Sequence, residues 1–138
     1  MKWANTDAEI TSCYEVMKEL RQKISLKDFL SQVKLQMESG YQLVFETSET
    51  TVVVVAGFRI SHNLAWGKFL YIDDLVTRES FRTQGFGSSL LSAITEYAIQ
   101  QKCDQLHLDS GVQRTGAHRF YQNQGMDLSS YHFSKKLK

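Results

Sequence analysis

Apolar residues recur along the first forty positions at the three- and four-residue steps of a helix face. In residues 7–20 they are Ile10, Cys13, Tyr14, Met17 and Leu20, with Thr6 or Asp7 placed to cap the helix. In residues 26–37 they are Leu26, Phe29, Leu30, Val33 and Met37, with Ser25 and Asp28 as the starting signal and Gly40 suited to the left-handed stop. The period then changes. Residues 41–47 and 51–60 are rich in Val, Phe, Tyr and Thr and are split by Ser48 and Glu49, which predicts two strands joined by a hairpin. A third strand over about 69–77 follows the turn region 63–67. Residues 85–101 form the strongest helical pattern, with Phe86, Leu90, Leu91, Ile94, Tyr97 and Ala98 on one face. Leu106, His107 and Leu108 read as a strand, 115–124 as a short helix stopped by Gly125, and 131–137 alternates like a final strand. The order is ααβββαβαβ, with room for a short strand ahead of the first helix. It predicts an α/β protein with a mixed sheet and helices on its faces.

Composition narrows the function classes. The 138 residues are enough for one domain, 1–138, and too few for two with cores of ordinary size. The longest apolar run, Val52-Val53-Val54-Val55-Ala56, is far short of the roughly 18 residues of a membrane span and reads as a buried strand. Sixteen Lys and Arg against fifteen Asp and Glu give a net charge of +1, which offers no general pull toward nucleic acid or an acidic membrane. No proline and eight glycines exclude flexible linkers and proline-rich ligand segments. Cys13 and Cys103 lie far apart behind a polar N-terminus, from which a reduced, cytoplasmic protein is expected. The four histidines show no metal-ligand spacing, so no metal is expected.

The most informative segment is Arg82, Thr83, Gln84, Gly85, Phe86, Gly87 and Ser88, which joins a strand to the strong helix. Two glycines opening a helix let backbone N–H groups converge on an anion, and the helix dipole adds about half a positive charge there. By itself the pattern fits either a phosphate site or a glycine turn that only starts a helix. It does not fit the dinucleotide-binding fingerprint, whose third glycine would fall at Leu90, or the P-loop, because no Gly-Lys-Ser or Gly-Lys-Thr occurs.

Arg82-x-x-Gly85-x-Gly87 resembles the acyl-coenzyme A pyrophosphate loop of the GNAT superfamily of N-acetyltransferases. Further on, Ala117-His118-Arg119-Phe120-Tyr121, followed by three residues, Gly125 and Met126, resembles that family's later motif. One helix and one strand lie between the two segments, as the family shows. The resemblance runs in motif detail from Phe69 onward and in element order alone before that. It implies a central, mostly antiparallel sheet with a splayed pair of parallel strands, acetyl-coenzyme A as co-substrate and a primary amine as acceptor. Dimers are common in the family, so a homodimer is the assembly it suggests.

By the same resemblance, Leu75, Val76 and Thr77 pair with the pantetheine amides, and Arg82, Thr83, Gln84, Gly85, Phe86, Gly87 and Ser88 surround the pyrophosphate. Tyr121 is the acid for the departing thiolate; without the motif it reads as a helix-face aromatic of the core. A phenol near pKa 10 protonating a thiolate whose acid has pKa about 8.5 is uphill by only about 2 kcal/mol. Asp73 and Asp74 occupy the strand edge where polyamine-acetylating relatives carry an acidic pair, whereas the glutamate of the histone-acetylating branch aligns with Tyr71. Strand alternation would send the two aspartates to opposite faces unless a bulge intervenes, which favours Asp73 as the one in the acceptor cleft. A bare carboxylate raises an ammonium's pKa, so its expected work is to bind a cation and anchor a water chain. A solvated or capping pair of aspartates is the plainer reading. Where many members carry an asparagine this chain has Arg114, so that pantetheine contact does not carry over.

The acceptor implied is a small cationic amine, with a protein lysine or N-terminus as the alternative. A non-catalytic acyl-coenzyme A sensor, needing the glycine loop but neither Tyr121 nor Asp73, is the rival of another class; a nucleotide-binding module is a further one. His107 and Asp109 share a strand face and read as a pair near the acetyl group or as a surface pair. The charge splits along the chain: residues 41–81 carry three Lys and Arg against five Asp and Glu, and residues 82–138 carry seven against four. That distribution suits an amine on the first part and phosphates on the second.

Overall fold

A computed structural model describes all residues, 1–138, in two compact units, Met1–His107 and Leu108–Lys138. The first unit carries the sheet, all but the last residue of its final strand. β1 (Lys2–Trp3), β2 (Gln42–Ser48), β3 (Thr51–Asn63), β4 (Gly67–Thr77) and β5 (Gln105–Leu108) lie side by side in chain order. The first three pairings are antiparallel, and β4–β5 is parallel. The mixed sheet expected from the sequence is thus present, and β1 fills the place of the short leading strand.

One face of the sheet is covered by α1 (Asp7–Ser12), α2 (Tyr14–Leu20) and α3 (Leu26–Met37). Ile10, Cys13, Val16, Met17, Phe29 and Val33 pack there with Leu43, Phe45, Val55 and Val76 of the strands. The continuous helix expected over 7–20 is broken at Cys13. The Ser12 hydroxyl donates to the Glu9 carbonyl (2.6 Å), and the Cys13 N–H turns to Ile10 instead (3.0 Å). A serine bonding back into its own helix competes with the regular ladder in just this way. Thr6 caps α1 through a reciprocal bond pair with Glu9, and Ser25 caps α3.

The other face is covered by α4 (Phe86–Gln100), whose Leu90, Leu91, Ile94 and Ala98 are buried. Its Tyr97 ring meets Trp3 of β1 at 5.0 Å and Phe58 of β3 at 5.7 Å, edge to face and tilted. Leu90 and Ile94 are completely buried, and each such side chain contributes roughly 1.5–3 kcal/mol relative to exposure. No helix is long and apolar enough to cross a membrane.

In the second unit, α5 (Thr115–Asn123) is the only regular element, and Gly125 follows it with a left-handed backbone (φ 82°). Residues 126–138 form no strand, a correction to the final strand expected over 131–137. Tyr131, Phe133 and Leu137 are exposed. The alternation that suggested a strand places Lys135 between Phe133 and Leu137 on the same face, so there is no continuous apolar stripe to bury.

Candidate active site

The acidic pair lies on a bulge. Across the β3–β4 ladder Gly57 opposes Asp74 and the next residue, Phe58, opposes Ile72, which leaves Asp73 as the extra residue of β4. The insertion changes which face the strand presents. Before it, Ile72 is buried; after it, Val76, an even number of residues on, joins the core beneath α1–α3. Asp74 therefore turns toward those helices, where it accepts from the Tyr41 hydroxyl (2.8 Å) and pairs with Arg21 (2.8 Å), the residue that ends α2. The Asp73 carboxylate pairs with Arg59 of β3 (2.6 Å), and its carbonyl accepts from Arg21 (3.0 Å). Both aspartates thus belong to one cluster linked through Arg21.

Tyr41 is buried at 4 % exposure. Burial first, and the negative charge of Asp74 next, hold its phenol well above the usual tyrosine range, so it stays protonated and donates. Room for it comes from Gly57, because a Cβ there would lie 1.7 Å from the Tyr41 oxygen. The carboxylates are the inner layer of the cluster and the guanidiniums the outer one. Asp74 and Asp73 are 12 % and 21 % exposed, Arg21 and Arg59 52 % and 44 %.

Beyond the bulge, Leu75, Val76 and Thr77 pair with Ala56, Val55 and Val54 on the β3 side. The β5 side differs. Asp104 is bonded to Lys68 through both backbone and side chain, so the four-residue β5 starts level with the beginning of β4. Counted forward from there, β5 ends near Ile72, and β4 continues past it for the length of 73–77. One edge of this stretch thus keeps backbone donors and acceptors beyond the end of the neighbouring strand.

After β4 a single 3-10 turn (Glu79–Phe81) leads to the glycine loop. Arg82 holds the loop to the strand end, its Nε donating to the Thr77 carbonyl (3.2 Å), and its guanidinium lies 3.6 Å from Glu19 of α2. Thr83 and Gly85 both take positive φ (65° and 87°), and Gly85 is the N-cap of α4. No side chain caps that helix, and its first turn carries no acidic residue. The first N–H groups of an α-helix have no partner within it, so 85–87 present donors at the positive end of a fifteen-residue helix. An uncapped helix start with glycine at the cap fits a phosphate-bearing ligand; the Glu46 carboxylate of β2 accepts from the Ser89 hydroxyl (3.2 Å) at the far side of that first turn. The polar strand edge beside it fits an amide-bearing arm.

In the second unit Tyr121 lies on α5, half-buried. Burial raises its phenol above the ordinary value, and Arg114, at the start of the same helix, opposes the rise. His118 bonds the Gly111 carbonyl through Nε2 (2.7 Å), and Asp109 lies 3.5 Å from His132. His107, in the first unit, is stacked on Trp66 with ring centroids 3.5 Å apart.

Residues 3–126 match the acetyltransferase (GNAT) family model. The chain belongs to that family. Membership makes it an acyltransferase that uses acetyl-coenzyme A. Over 99 % of its length it is 30 % identical to YhdJ of Bacillus subtilis, an uncharacterised N-acetyltransferase of which 98 % is covered. It is 27 % identical, over 96 % of its length and 86 % of the relative's, to an aminoalkylphosphonate N-acetyltransferase of Salmonella typhimurium. Among solved structures, an aminoglycoside N-acetyltransferase in complex with coenzyme A superposes with a TM-score of 0.86 at 13 % identity, covering 99 % of this chain and 93 % of the other. A protein from Agrobacterium tumefaciens described as a presumed acetyltransferase superposes at 0.83 with 19 % identity over 96 % of each chain. These two share the GNAT fold.

Within this GNAT chain the structure groups Asp73 with Asp74 and ties residues 82–88 to the end of the strand that carries Leu75, Val76 and Thr77. Sequence reasoning missed Arg21, Arg59, Tyr41 and Gly57, which complete the acidic cluster. One signal was available: a lone glycine inside the run 52–58 marks a close approach of another group to a strand.

Proposed function

We propose that residues 1–138 act as one catalytic domain that moves an acetyl group from acetyl-coenzyme A directly to the primary amine of a small molecule. The observation that carries this reading is the uncapped, glycine-started helix α4, reached through one 3-10 turn and the glycine loop from a strand whose edge outruns its neighbour. Arg82, Thr83, Gln84, Gly85, Phe86, Gly87 and Ser88 would hold the pyrophosphate, and Leu75, Val76 and Thr77 the pantetheine arm. The co-substrate supplies an activated thioester carbonyl. Relatives named for aminoalkylphosphonates and aminoglycosides support a small amine rather than a protein as acceptor.

An alkyl ammonium is neutral in about one molecule in a thousand or fewer at pH 7, so the acceptor has to lose a proton before it attacks. Unpaired carboxylates beside it would make that harder by raising its pKa. Asp73 and Asp74 are offset by Arg59 and Arg21, so the cluster anchors a water path for the departing proton without holding the amine charged. Tyr121, kept protonated by its burial, gives its proton to the leaving thiolate. The raised phenol makes that transfer somewhat more uphill than for an exposed tyrosine, within what a positioned general acid overcomes.

The test is Tyr121→Phe, read by thiol release and by acetyl-coenzyme A titration. Turnover falls about 10²- to 10⁴-fold with binding retained. Unchanged turnover at every pH would remove Tyr121 from the chemistry, and binding without turnover in the unsubstituted chain would leave a sensor of acyl-coenzyme A as the better reading.

A further inference from the structure

The cluster at the β4 bulge also describes the acceptor. Its four charges, Asp73, Asp74, Arg21 and Arg59, sum to zero. They are not mixed evenly, because the carboxylates are covered and the guanidiniums face outward. Each carboxylate is already engaged: Asp73 by Nε and one Nη of Arg59 (2.9 and 2.6 Å), Asp74 by Arg21 (2.9 and 2.8 Å) and the Tyr41 hydroxyl (2.8 Å). A cation arriving here would meet the outward guanidiniums first, and of the four carboxylate oxygens only Asp73 Oδ1 takes none of these contacts. An anion would add to what is present, since a guanidinium carries five donors in a planar fork and these contacts engage only one edge of each.

From this arrangement we infer that the acceptor carries an acidic group, a carboxylate or phosphonate, a short distance from its amine, and that Arg21 and Arg59 bind it. The inference rests on the acetyl-transfer reading above, which places the attacked thioester beyond the bulge along β4. The acid end of such a molecule lies against the two guanidiniums, and its amine points along the strand toward residues 75–77. The arginines then serve twice. They fix one end of the acceptor, and they offset the charge of its acid group, which would otherwise help to hold the nearby amine in its charged form. Tyr41 holds Asp74 inward, beneath Arg21, so that the guanidinium and not the carboxylate is what the acceptor meets.

The experiment measures thiol release from acetyl-coenzyme A by the full chain with aminoethylphosphonate, β-alanine, propylamine and putrescine. The acid-bearing amines are expected to exceed propylamine and putrescine in kcat/KM by about tenfold or more, the scale that one charge-assisted hydrogen-bonded pair supplies. In Arg21→Gln and Arg59→Gln, KM for the acid-bearing amines rises more than kcat falls, and their advantage shrinks to about threefold or less. Equal or faster release with propylamine or putrescine overturns the inference and leaves the acetyltransferase reading intact. Release with none of the amines overturns both. A wild-type preference that persists in both variants, folded by circular dichroism, removes Arg21 and Arg59 as its source. The wild-type comparison decides the acidic-acceptor claim even where a variant does not fold.

Discussion

Gly57→Ala isolates the packing that sets the acidic cluster. Gly57 does not take a positive φ, so alanine's backbone preference imposes no strain and the effect comes from space alone. The new Cβ would lie 1.7, 2.2 and 2.5 Å from the Tyr41 hydroxyl oxygen, Cζ and Cε2, where ordinary contact begins at 3.4 Å. The ring must withdraw by well over an ångström, and its 2.8 Å bond to Asp74 does not survive that movement. Losing a hydrogen bond to a buried carboxylate costs about 1.5–3 kcal/mol, and forcing a methyl group into a filled core about 1–3 kcal/mol. We expect a destabilisation of about 3–5 kcal/mol in urea unfolding, or about 10–15 °C in Tm. In a Tyr41→Ala background the same Gly57→Ala change meets no ring and costs under about 0.5 kcal/mol, so the double-mutant cycle assigns the loss to this contact. A cost below about 1 kcal/mol in the wild-type background would refute the reasoning.

Three further outcomes follow from the structure. Cys13 is completely buried, and burial pushes its thiol from 9.0 up to about 12. A group whose folded pKa is raised keeps the chain stable below the unfolded value and loses that contribution above it. Stability should therefore fall between pH 9.0 and about 12, by up to about 1.4 kcal/mol per pH unit, and Cys13→Ala should flatten the profile in alkaline urea melts. Gly85→Asp places a carboxylate at a helix start that bears no acidic residue, and should weaken acetyl-coenzyme A binding by calorimetry about a hundredfold or more. Gly85→Ala, which bears only the cost of a left-handed alanine, about 1 kcal/mol, should lose about tenfold or less. Arg114→Ala removes the charge that holds the Tyr121 phenol down, so the alkaline limb of the kcat profile should move to higher pH. A downward shift contradicts the assignment.

Much of this was legible in the chain because it is locally encoded. The three- and four-residue apolar steps located α3 and its Ser25 cap, and the glycine pair located the start of α4. What stayed hidden depends on register and on distant partners. Nothing local in Ile72-Asp73-Asp74-Leu75 says that Asp73 is the extra residue, because a bulge exists only relative to the strand opposite. Arg21 stands 53 positions from Asp74 and Arg59 14 from Asp73, so their neutralising role could not be counted from the run of charges. Residues 131–137 err in the other direction. Their alternation is local and real, but a strand also needs a ladder and a continuous apolar face, and Lys135 interrupts that face.

The most direct test of the central claim is to incubate the purified chain with acetyl-coenzyme A and a small primary amine and weigh the product by mass spectrometry. The account predicts that the amine gains one acetyl group in step with thiol release, and that Tyr121→Phe slows both together. Tight acetyl-coenzyme A binding with no acetylated amine at any pH would contradict it.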